Sequence, residues 1–141
     1  MKKLMKKRTG FTLVELLIVI IIIGILAGAM LLVAGSGTDK ANATKIVSDM
    51  RSLKAAALMK WADDGNWNFV SSGDTAQAKV GNYMDRDVSK ATVASYDVVS
   101  ADGIFVEAHN IIAGATDKLK GMMNDSGLTT SDDVTWRMKI K

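Results

Sequence analysis

Gly10-Phe11-Thr12-Leu13-Val14-Glu15-Leu16-Leu17-Ile18-Val19-Ile20-Ile21-Ile22-Ile23-Gly24-Ile25-Leu26-Ala27-Gly28-Ala29-Met30-Leu31-Leu32-Val33-Ala34 decides the fold of this chain. Glu15 is the one charge between Phe11 and Ala34. As a helix of about 1.5 Å per residue, the run reaches about 36 Å, enough to cross a hydrocarbon core of about 30 Å. Ahead of it, Met1–Gly10 is short and free of acids, with Lys2, Lys3, Lys6, Lys7 and Arg8. Such a basic flank stays cytoplasmic and leaves the C-terminal part outside.

Three readings fit an apolar run behind a basic flank. An ordinary secretory signal finds a small-x-small cleavage site in Ala27-Gly28-Ala29. Against it stand the carboxylate inside the run and the apolar stretch Met30–Val33 beyond the site. A permanent signal anchor fits the length and leaves Glu15 unexplained. The third is a leader cut before the run, which then stays on the mature protein.

The Lys-rich leader followed by Gly10-Phe11-Thr12-Leu13-Val14-Glu15-Leu16-Leu17 resembles the type III signal of bacterial type IV pilins and type II secretion pseudopilins. The resemblance implies cleavage between Gly10 and Phe11 by a membrane-embedded prepilin peptidase, then N-methylation of Phe11. A residue without a side chain at position 10 lets the backbone enter a tight active site. The chain is then a substrate, not an enzyme. The resemblance also implies a homo-oligomeric helical filament. Its other partners are the peptidase and N-methyltransferase, an assembly ATPase, a platform protein and the inner membrane. The precursor is expected there as a single-pass protein, and the filament outside the cell or in the periplasm.

A carboxylate in hydrocarbon costs several kcal/mol unless paired. Glu15 is either an anion favoured by the helix dipole near a helix start or an assembly residue. In the family resembled, the corresponding glutamate neutralises the N-terminal amine of a neighbouring subunit. Gly24 and Gly28 are spaced G-x-x-x-G, which lets helices approach closely. Many pilins carry a proline about twenty residues into the mature helix; this chain reads Met30-Leu31-Leu32-Val33 there. Any kink or local melting must then arise at Gly35, Ser36 and Gly37.

Past Gly37 the pattern becomes amphipathic. Ile46, Met50, Leu53, Ala57 and Trp61 form one stripe, with Lys45, Asp49, Ser52 and Lys60 towards other faces. Asp63-Asp64-Gly65-Asn66 ends the helix. A short helix is expected within Thr75–Met84. Tyr96–Ser100 and Ile104–Ala108 read as strands around Ala101-Asp102-Gly103, where Asp-Gly marks a hairpin. Asn110–Asn124 reads as a helix, and Val134–Ile140 alternates as a strand with a basic outer face.

The expected fold class is α+β. A long N-terminal helix, hydrophobic then amphipathic, carries a small antiparallel sheet; the resemblance implies a pilin-like lollipop. The expected segments are 1–10 leader, 11–35 membrane and filament-core helix, 36–62 amphipathic helix and 63–141 globular head.

The remaining residues mostly exclude chemistry. Of 18 basic residues five lie in the leader, leaving 13 against 15 acids. The basic balance is thus local and poor evidence for nucleic-acid binding. With no cysteine there is no disulfide or thiolate metal site. His109 stands alone and reads as a surface or hairpin-end residue. Asp125, Asp132 and Asp133 are loop-like acids, and some type II pseudopilins bind calcium in such loops. Their spacing matches no calcium motif, so no cofactor is expected. Lys118, Lys120 and the basic face of the last strand could meet DNA phosphates, but a solvated face is the expectation. The reading is a structural filament subunit. The alternatives are a minor or competence pilin that binds DNA or a surface ligand, and a secreted or anchored soluble domain with an ordinary signal.

Overall fold

The computed structural model describes residues 10–71, 74–130 and 132–141. The leader expected at 1–10 lies outside these residues apart from Gly10. Helix α1 spans Leu13–Asp64. Its span includes Gly35, Ser36 and Gly37, the positions at which any kink or local melting would have to arise. Each glycine costs the helix about 1 kcal/mol, but no ring removes an amide donor, so the hydrogen-bond ladder continues. The chain divides into two compact units, one up to Ser36 and one from Gly37 onward.

In the first unit the large apolar side chains from Phe11 to Val33 are all exposed, from 47% at Val19 to 88% at Phe11. A helix apolar on every side buries nothing by itself and needs lipid or other helices around it.

The second unit is α+β. After α1 come a short 3-10 turn at Asn68–Ser71, α2 at Ala76–Val80 and a second 3-10 turn at Gly81–Tyr83. Strands β1 (Ser95–Ser100) and β2 (Ile104–His109), helix α3 (Ala115–Ser126), and strands β3 (Leu128–Thr130) and β4 (Trp136–Lys139) follow. The sheet order is β1-β2-β4-β3, all antiparallel. One face supplies Tyr96, Val98, Ile104, Val106, Ala108, Leu128, Trp136 and Met138 to the core. The stripe Ala43, Ile46, Val47, Met50, Leu53, Ala56 and Ala57 of α1 is the other main contributor, and residues of α2, α3 and the loops, among them Val80, Val93 and Leu119, complete the core.

The hairpin forms where Asp-Gly marked it. A Cβ on Gly103 would meet the Lys141 carbonyl oxygen at 2.6 Å, so only glycine fits. Helix α3 begins at Ala115, later than the expected Asn110. Ile112 donates its backbone N–H to the Val93 carbonyl instead of entering a helix. Gly114 then turns the chain at φ +85°, with the Asp39 carboxyl where a Cβ would be.

Three sequence expectations need correction. Asp49, placed on a face away from the apolar stripe, is 2% exposed. Its carboxylate accepts from the Arg86 guanidinium and from the Tyr96 hydroxyl at 2.9 Å, and these bonds make burial tolerable. Burial first, then the Asp49 charge, push the Tyr96 phenol above its ordinary value, so it remains a donor. Trp61, placed on the core stripe, is 38% exposed and stacks on Trp67 at 5.9 Å between ring centroids. Val134 is 62% exposed and outside β4, because Asp132 Oδ1 accepts the N–H groups of Val134 and Thr135 and holds a turn there.

Replacing Asp49 by alanine strips the buried Tyr96 hydroxyl and the half-exposed Arg86 guanidinium of their acceptor. Asp49→Ala should lower the stability of the second unit by about 1–3 kcal/mol, read by urea unfolding monitored at tryptophan. An unchanged midpoint would show that the buried carboxylate contributes nothing.

Candidate functional site

The site is the start of α1. Phe11 and Thr12 precede the helix, and the Thr12 carbonyl accepts the first helical bond from the Leu16 N–H at 3.3 Å. Thr12 thus sits at the cap. Its hydroxyl accepts the Glu15 N–H at 3.3 Å. Glu15 Oε2 returns the favour, accepting the Thr12 N–H at 2.8 Å and the Thr12 hydroxyl at 2.7 Å. This is a reciprocal capping box, Thr-x-x-Glu, which satisfies amides left without helical partners. Threonine three residues before glutamate is the sequence signal for it, beyond the dipole and assembly roles read for Glu15.

Both Thr12 bonds fall on Oε2, and Oε1 has no hydrogen bond among the described residues. The carboxylate is therefore held in place within its own subunit with one oxygen still able to accept. Gly10 and Phe11 lie just before the helix, fully open to an incoming group. Gly24 and Gly28 fall one turn apart, and a Cβ at either would meet nothing within 4 Å. The surface around both is open to a close neighbour.

The other candidates lie in the second unit. His109 ends β2. Lys120 Nζ pairs with Asp133 at 2.8 Å, and that hydrogen bond raises the Lys120 ammonium above its usual range. The backbone N–H groups of Thr135 and Val134 hold the Asp132 carboxyl below its ordinary value. Asp125 is exposed near the end of α3. The described residues hold no group of three or more histidine, cysteine or acidic side chains able to grip a metal. On the outer sheet face Arg137 Nε pairs with Glu107 Oε1 at 2.5 Å across β4 and β2, so this cation is matched by an acid.

Residues 5–31 match the family model of the prokaryotic N-terminal methylation motif. The start of the chain therefore carries this motif, in agreement with the resemblance to pilins and pseudopilins read from Gly10–Leu17. Among curated proteins the chain is similar to type II secretion system core protein G from several bacteria. It is 37% identical to that of Vibrio cholerae over 73 residues, 52% of this chain and 49% of the relative. It is 33% identical to that of Klebsiella pneumoniae over 69 residues, 49% of each. The Aeromonas hydrophila protein matches at 29% over 102 residues, 72% of this chain and 64% of the relative. The chain spans about half the length of most of these curated relatives. No solved structure matches the chain.

Thr12→Val keeps the side-chain shape and removes the hydroxyl, so Glu15 loses a donor and its own N–H an acceptor. The first turn should weaken by about 0.5–2 kcal/mol, seen as faster amide exchange at Glu15 and Leu16 in detergent micelles. Thr12→Ser should restore protection. Equal exchange in all three proteins would remove the cap from consideration.

Proposed function

We propose that this chain is a structural subunit of a type II secretion pseudopilus or a closely related type IV pilus-like filament, with no catalytic role. One observation carries the reading: a prepilin-type signal leads directly into a helix whose apolar side chains are all unburied in the single subunit. Such a surface is stable first in lipid and then among copies of itself. The names of its relatives favour the type II secretion machine over other pilus systems.

The chain enters the inner membrane with its basic leader inside, and prepilin peptidase cuts between Gly10 and Phe11. The new Phe11 amine is methylated. An assembly ATPase and a platform protein lift subunits into the filament, in the periplasm or beyond the outer surface. Glu15 then pairs with the Phe11 amine of the next subunit. The Thr12 cap supports this role, since it fixes the carboxylate on one oxygen and offers the other. A subunit docked out of register leaves two charges unpaired in an apolar core, which is strongly disfavoured. Gly24 and Gly28 let the neighbouring helix approach closely.

Mass spectrometry of the mature protein from its native cell tests the processing. The expected terminus is Phe11 carrying one added methyl group. A terminus at Met30, or an uncut Met1, would overturn the reading in favour of a secreted or anchored domain. Glu15→Ala should leave cleavage intact and abolish filaments in sheared-surface or periplasmic preparations. Filaments formed at wild-type level would remove Glu15 from assembly.

A further inference from the structure

Asp49 and Lys79 are the two charged residues buried among those described. Asp49 anchors the core, but Lys79 reaches the rim of the sheet. Its ammonium donates to the Val98 carbonyl at 2.9 Å and to Asp97 Oδ1 at 3.0 Å. Asp97 Oδ1 in turn accepts the Val98 N–H at 2.7 Å. Both polar groups of one backbone residue are thus taken by a bonded pair of side chains.

Which way Val98 faces follows from the ladder. Ile104 sends its N–H to the Lys141 carbonyl and its carbonyl to the Ile140 N–H, towards the β4 side of the sheet. Its partner on β1, Ser100, therefore stands opposite without bonding to it. The pattern repeats every second residue, so the pair Val98 and Val106 has the same phase. The N–H and carbonyl of Val98 point away from β2, outward from the sheet. β1 is an outermost strand, and Val98 lies in its middle. A bare N–H and carbonyl there would template another strand. At the opposite edge β3 is three residues long, too short to template much pairing.

We propose that Lys79 and Asp97 form a guard on the outer edge of β1 that prevents a strand from a second copy of this chain pairing there. A buried lysine is costly to keep, and an apolar residue would pack at position 79 without that cost. It would leave the Val98 carbonyl without a donor. The guard matters most where many copies are crowded side by side, and it holds whether or not the chain polymerises through its helix.

The test uses the full chain in detergent micelles, with size-exclusion chromatography, light scattering and the amide I infrared band. Wild type sets the baseline for association through the apolar helix. Lys79→Met should associate further as concentration rises and gain an intermolecular-sheet band. Ser100→Pro, added to Lys79→Met, removes an outward N–H from the same edge and should return both readings towards baseline. If Lys79→Met does not fold by circular dichroism, Asp97→Ala, at a partly exposed site, carries the same expectation. A folded variant that stays at the wild-type association state would overturn the proposal. So would added association that Ser100→Pro leaves unchanged.

Discussion

Hydrocarbon offers no partner for a bare peptide group, and the N-terminal helix depends on that constraint. Within lipid every N–H and carbonyl must bond inside its own segment, which a helix does everywhere except at its ends. At the start of α1 the ends problem is met by Thr12 and Glu15, each bonding the other's amide. The one acid in the apolar run is therefore a part of the helix as well as a charge. A carboxylate already ordered by its own cap has less freedom to lose when it takes a second partner.

Further along α1 the demands reverse. From Ala43 onward the helix must present an apolar stripe to a sheet, and water is available to the other faces. Asp49 breaks the stripe and is tolerated because Arg86 and Tyr96 reach it. These come from distant points of the chain, so one carboxylate ties the loop around Arg86 and strand β1 to the helix. Tyr96 also belongs to the core through its ring, which joins the polar contact to the apolar packing around it.

Much of the fold was legible because it rests on short-range patterns. The uniform apolar run, the stripe from Ile46 to Ala57, the Asp102-Gly103 turn and the alternation Trp136, Met138 each specify local structure within a few residues. What stayed hidden depends on distant partners. Nothing around Asp49 announces Arg86, although its place three residues after Ile46 puts it on the stripe. Lys79 carries no local sign of burial, which comes only from β1 lying beside it. Leu128–Thr130 is too short to show alternation, and β4 recruits it. Val134 continues the period of two, yet Asp132 turns the chain beneath it. The N-terminal methylation motif was legible from a handful of residues, because glycine, phenylalanine and a glutamate inside an apolar run form a specific pattern.

The placing of the aromatic residues gives the molecule an uneven optical voice. All three tryptophans, Trp61, Trp67 and Trp136, fall after Gly37. Two stack on each other, and the third is wholly enclosed. Intrinsic fluorescence therefore speaks for the sheet-bearing unit alone. The apolar helix, with no indole or phenol of its own, can pass from lipid to protein surroundings without changing the colour of the emitted light. Following that passage requires a dye or an isotope placed in the helix itself.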